Sequence, residues 1–382
     1  MSEPGSADVL VVGAGIIGCS IAYQCAVARL RVLVLEQQHI GDGASGAAAG
    51  MLAPQVEAHQ PDAFFRLLLA GRAMHSDLAA QLQEETGIDV GYRRSGVLRV
   101  AMEEREAVDL RNRAEWQRGL GLAAEWVESS QLAHYEPMFA GAASRKLIGA
   151  LWLSEEGQVH GGKLVQALAA AAQKRGALFQ ETTPVIGFER AGQRVIGVRT
   201  PDGVHLAATV VLAGGAWSGE LAKQAGLTVP VEPIKGQAMA LRMGTDRPQY
   251  IIWSHDCYLV PKVDGRLIVG ATEQHAGFDT RPILSGLVHL ANGAVDLLPA
   301  LGRLPVDGLW AGLRPATPDR LPIIGWSTEA EGLLLATGHF RHGIILGPLT
   351  GHLVAQLLQG KTVDWDLAPY APARFTGSPQ AW

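Results

Sequence analysis

The chain has 382 residues, 48% of them hydrophobic and 18% charged, and a formal net charge of -5. That balance belongs to a folded protein with a large interior and excludes a disordered one; the length calls for one large or two interleaved domains. With an acidic balance and no run of Lys or Arg, nucleic acid is excluded as the main partner.

The three cysteines, Cys19, Cys25 and Cys257, form no CxxC pair and are too few for a disulfide framework. The twelve histidines show no HxH or HExxH spacing, so no metal site is read, and no GxSxG is present for serine hydrolysis. The N-terminus lacks the basic region of a signal peptide, and the apolar run from Val9 to Ala22 is broken by glycines and too short to span a bilayer. A cytoplasmic location and no membrane partner are expected.

Asp8 to Gly13 reads as a buried parallel strand, followed by the glycine turn GAGIIG and a helix from Ile16 to Ala28. Arg31 to Leu35 reads as a second strand that ends in Glu36. Gly13 permits the tight turn, Gly15 lets the backbone approach a pyrophosphate, and Gly18 lets helix pack on strand. The helix start at Ile16 and Ile17 then offers free N–H groups and a positive dipole end. Glu36 is placed to accept bonds from both hydroxyls of an adenosine ribose, and it would repel the ribose phosphate of NADP. Strand, turn, helix, strand and acid together predict dinucleotide binding in a Rossmann-like domain.

The segment GDGASGAAAGMLAP, Gly41 to Pro54, carries no bulk before Met51. It reads either as a flexible loop or as backbone laid against a flat ligand. Gly161 to Gly176 predicts an amphipathic helix, followed by a meander with turns at Ala191-Gly192 and Asp202-Gly203 and a buried strand from Thr209 to Ala213. A separate antiparallel layer is expected through residues 90–105 and 231–275, with a hairpin turn at Asp264-Gly265. Near the C-terminus, TGHFRHGIILGPLTG brings a glycine-bracketed turn into a last helix.

GAGIIG, Glu36 and ASGAAAGML resemble the D-amino acid oxidase superfamily of flavoproteins, and within it the glycine oxidases. The resemblance continues in VVLAGGAWSGEL, CYLVPKVDGRLIVGATE, WAGLRPATPDRLPIIG and ATGHFRHGIILGPLTG, and so covers nearly the whole chain. It implies an α/β (α+β overall) architecture in which a discontinuous FAD domain (residues 1–85, 155–225 and 310–370) interleaves with an antiparallel substrate domain (86–154 and 226–309).

The resemblance also implies site residues. FAD would lie against Gly13, Gly15, Ile16, Ile17, Gly18, Glu36 and Gln37, then Ala44, Ser45, Ala49, Gly50 and Met51. Val185 would face the adenine, and the run His339, Phe340, Arg341, His342, Gly343, Ile344 and Ile345 the flavin edge. No cysteine follows Cys257, which excludes a C-terminal thioether and leaves FAD non-covalent. Hydride transfer to the flavin needs no side-chain base if the amine arrives neutral, so no catalytic side chain is assigned. It needs a clamp for the substrate carboxylate, and the planar fork of an arginine suits it. Arg314 is expected in that role, with Tyr258 and Arg341 beside it. Glu273 stands where the family has a methionine facing the substrate, which leaves the side-chain end of the pocket open. Lys235 reads as structural or solvated before it reads as an oxygen-activating cation.

The implied reaction takes glycine, sarcosine or small D-amino acids, with oxygen, to the 2-oxo acid, ammonia and hydrogen peroxide, in support of thiamine thiazole synthesis. A D-amino acid oxidase or dehydrogenase is the alternative within the class. A flavoprotein subunit of an amine dehydrogenase complex is the alternative outside it, and a tRNA-modifying flavin domain is disfavoured by the acidic balance. Family likeness implies a homotetramer.

Overall fold

The structure is a computed structural model and describes residues 7–140, 146–244 and 247–375. Two large sheets organise it. In the first, the strand order is Ile323–Trp326, Leu333–Thr337, Gly203–Leu212, Ala7–Val12, Val32–Leu35 and Leu178–Gln180. From Leu333–Thr337 onward these strands pair in parallel. Leu10 and Val11, adjacent on the central strand, are both fully buried. That explains an unbroken apolar run: layers cover both faces.

Helix Ile16–Val27 is apolar on all sides because it is covered on all sides. It packs on the sheet, on helix Gly161–Lys174 and on helix Gly343–Leu358. The last of these contacts is close. A Cβ on Gly347 would stand 2.5 Å from Ile16 Cγ1, and one on Gly351 would stand 2.6 Å from the Ser20 carbonyl. Strands Gly187–Ala191 and Arg194–Thr200 extend the sheet as the expected meander, with their turns at 192–193 and 201–202, each one residue from the place expected.

The second sheet has nine strands. Glu232–Arg242 runs through it, paired with Arg266–Gly270 on one side and Val306–Ala316 on the other. The hairpin of Tyr258–Pro261 and Arg266–Gly270 turns at Asp264-Gly265, as expected. Three details depart from the sequence reading. Strand Val97–Ala101 stops well short of residue 105, because Glu103 and Glu106 form a capping box that starts helix Glu104–Gly119. Ile251–Trp253 lies parallel to that strand, within a layer otherwise antiparallel. Residues 310–316 hydrogen-bond along Glu232–Arg242, so they add to the second sheet, not to the cofactor sheet expected from residue 310.

A buried ammonium ties the two halves together. Lys262, at the end of the Tyr258–Pro261 strand, donates to the Ala49 carbonyl at 2.5 Å, to Gln158 Oε1 at 2.9 Å and to the Val159 carbonyl at 3.0 Å. Gln158 in turn donates to the Pro261 carbonyl. All three ammonium protons therefore have acceptors, as a buried charge requires. Burial still pushes the Lys262 ammonium down to about 7. No helix among the described residues is long and apolar enough to cross a membrane.

Candidate active site

Strand Ala7–Val12 has Val32–Leu35 on one side and Gly203–Leu212 on the other. The chain reverses its direction of build there, so a crevice opens beyond the strand ends. Gly13 turns at that point with φ +101°, and a Cβ on it would stand 2.7 Å from the Ala213 carbonyl. A Cβ on Gly18 would stand 1.9 Å from the Gly13 carbonyl, so helix and turn touch directly. Ser45 Oγ accepts the Ile16 N–H at 2.9 Å, and Glu36 accepts from the Ala14 and Gln38 amides at 2.7 and 3.0 Å. The Ile16 amide, expected to be free, is thus already taken by Ser45, and Glu36 braces the turn and the strand end.

The Gly41–Pro54 segment is a short helix, Ala44–Ala47, followed by the strand Met51–Leu52, not a flexible loop. Met51 and Leu52 pair with Gly157–Gln158. The small residues place backbone against a cavity of about 540 Å³ that runs from the crevice to the second sheet. Of the residues expected at the cofactor, Gly13, Gly15, Ile16, Ile17, Glu36, Gln37, Ala44, Ser45, Ala49, Gly50, Met51, Val185, His339, Phe340, Arg341, Gly343, Ile344 and Ile345 line this cavity. Gly18 sits behind the turn, and His342 is not among the lining residues but bonds Glu57, which is. FAD fits this frame: a glycine cradle for the diphosphate, a ribose-facing acid, and a wall of Ala and Gly for the ring system.

The far end of the cavity holds the side chains expected at the substrate. Arg314 lies flat on Gly236, where a Cβ would come within 2.5 Å of its guanidinium, and its Nη1 donates to the Thr272 carbonyl at 2.9 Å. Tyr258 lies over Gly270 in the same way, where a Cβ would stand 2.6 Å from its hydroxyl. Burial raises the Tyr258 hydroxyl above the usual phenol range, against the pull of Arg314. Arg341 pairs with Glu57, and Glu273 lines the wall with its carboxylate on Arg320 at 2.8 Å.

Glu57 was missed in the sequence. It ends the helix Pro54–Glu57, and its Oε2 meets Arg341 Nε at 2.5 Å and His342 Nε2 at 3.1 Å. Burial alone would raise this carboxyl; His342, Arg341 and Arg314 outweigh it and hold the group at about 2. The helix is steadied by a buried polar cluster. Gln55 bonds Gln117 at 3.0 Å, and Arg72 bonds both Gln55 and Glu156. His339 is buried, with its Nε2 3.0 Å from Thr350 Oγ1, and burial pushes it down to about 3, so it is neutral. Lys235 is buried and reaches the Arg281 carbonyl at 3.1 Å, which makes it structural.

Comparison with known proteins agrees with this geometry. The glycine oxidase of Geobacillus kaustophilus is 38% identical over 371 residues, which cover 97% of both chains. Its crystal structure superposes with a TM-score of 0.92 over 97% of this chain and all of that one. The bifunctional protein ThiO/ThiG of Synechocystis is 36% identical across 97% of this chain, which spans 54% of that longer protein. Residues 8–357 match the DAO family, described as FAD dependent oxidoreductase, and the chain belongs to that family.

Proposed function

We propose that this chain is a glycine oxidase: it oxidises glycine, and with it sarcosine and small D-amino acids, to the 2-oxo acid, ammonia and hydrogen peroxide. The carrying observation is the placement of Arg314. Its guanidinium is held flat by Gly236 and Thr272 in the cavity that also contains the nucleotide cradle, and it makes no ion pair among the described residues. An unpaired arginine fork beside Tyr258 offers both oxygens of a carboxylate a partner. FAD, when bound, accepts the hydride from the substrate α-carbon.

The protein's own share is orientation and exclusion of water. Arg314 and Tyr258 fix the carboxylate in the cavity that the Ala49–Met51 backbone also lines. Glu57 is held ionised and Tyr258 protonated, so neither takes a proton at neutral pH. In this reading the amine therefore arrives neutral, without a proton transfer to either group. We assign the two sheets to cofactor and substrate respectively, with Lys262 as the fastening between them. The bifunctional cyanobacterial relative supports a product handed on to a further reaction, here thiamine thiazole synthesis. A homotetramer would use apolar faces such as the outward row Leu284, Val288 and Val295.

The test is a yellow, FAD-loaded preparation assayed for peroxide with glycine, sarcosine, D-alanine and D-proline. Glycine and sarcosine are expected to lead. A preparation that takes up no FAD, or that favours D-proline over glycine by a wide margin, refutes the assignment.

A further inference from the structure

Glu273 enters the cavity wall directly after Thr272, whose carbonyl receives Arg314 Nη1. It therefore stands next to the carboxylate clamp while carrying the same charge as the group that the clamp would bind. Its own charge is held by Arg320, and the two side chains keep 36% and 58% of their exposure. The Arg320 guanidinium lies 5.0 Å from the Phe340 ring centroid, and that of Arg341 lies 5.4 Å from it. Arg341 is answered by Glu57. The rim thus carries two guanidiniums against one ring, each neutralised by a carboxylate from a different wall. Arg314 is left as the guanidinium of this group without a carboxylate among the described residues.

The geometry points to Glu273 as a specificity-determining residue, fixed by Arg320, that turns away amines bearing a second carboxylate. This rests on the small-amine oxidase reading above. The physical cause is like-charge juxtaposition in a partly desolvated site, a repulsive element built against one class of ligand. Removing the charge at 273 does two things at once. It abolishes the repulsion, and it leaves Arg320 free to receive the additional anion.

Sarcosine and iminodiacetate make the test, since they differ only by a carboxylate in place of one methyl hydrogen. The readout is the ratio of kcat/KM for iminodiacetate to kcat/KM for sarcosine, measured on FAD-loaded protein. Glu273→Gln and Glu273→Met are each expected to raise this ratio at least 10-fold over the wild type. Arg320→Met, which leaves Glu273 without its counter-charge, is expected to lower it. A merely structural role for Glu273 would depress both substrates together, so a ratio within twofold of wild type in both Glu273 variants overturns the proposal. If the wild type turns over neither glycine nor sarcosine, the parent reading fails, and the proposal falls with it for that separate reason.

Discussion

At the crevice beyond Val12 and Leu212 the cavity is lined mainly by small residues and backbone. Gly13 and Gly18 shape the turn there, and the side chains of Ser45 and Glu36 hold it by accepting the Ile16 and Ala14 amides. The other end of the same cavity is lined by large polar side chains. Arg314, Tyr258, Glu57 and Arg341 come from two strands, a short helix and a turn far apart in sequence and converge on one space. Backbone recognition is unforgiving of added atoms, whereas side-chain recognition is unforgiving of lost charge. The two halves should therefore break differently.

The largest effect is expected from Gly18→Ala. The new Cβ would overlap the Gly13 carbonyl, so the helix must shift away from the turn. The expected outcome is loss of the flavin absorbance after gel filtration, with affinity for added FAD weakened by more than about 10,000-fold in titration. Next comes Arg314→Ala, which should leave the yellow colour intact. Loss of a charge-assisted carboxylate contact of this kind costs roughly 4 kcal/mol, about 1000-fold in kcat/KM for glycine. Should Arg314→Ala lose FAD as readily as Gly18→Ala does, the division of labour between the two ends collapses.

The smallest of the three effects concerns Glu57 and pH. Its folded-state carboxyl is held at about 2, below its ordinary value of 4.5. The stabilisation is therefore complete above about pH 4.5 and is lost as pH falls toward 2, and it amounts to on the order of 3 kcal/mol. Glu57→Gln should be less stable than wild type in urea at pH 7, and the gap should narrow by about half or more by pH 3. A gap that stays constant between pH 7 and pH 3 would detach Glu57 from its His342 and Arg341 partners.

The same contrast decides what could be read in the sequence. GAGIIG and Glu36 were legible because the turn, the helix start and the acid are local, and each follows from what a short stretch of backbone must do. Arg314 and Tyr258 became legible only through resemblance, since an arginine before a proline and a tyrosine in a strand have many ordinary uses. Glu57 carried no signal at all: its partner His342 lies 285 residues away, and only the closed fold joins them. Lys262 was silent for the same reason, as its acceptors are a carbonyl at 49, an amide at 158 and a carbonyl at 159. The short helix at Ala44–Ala47 was hidden by small residues that serve helix and loop alike. At residue 105 the strand reading failed where a local rule, the capping box at Glu103 and Glu106, was present but unused.

The Lys262 fastening has a consequence for traffic through the molecule. Lys262 at the seam makes a hinge between the halves costly, because parting them would break its three hydrogen bonds and the Gln158–Pro261 bond together. Motion at the cavity is then expected first at its half-exposed rim, where the Arg320–Glu273 and Arg341–Glu57 pairs open and close as side chains. Such swings take nanoseconds, against microseconds to milliseconds for domain opening.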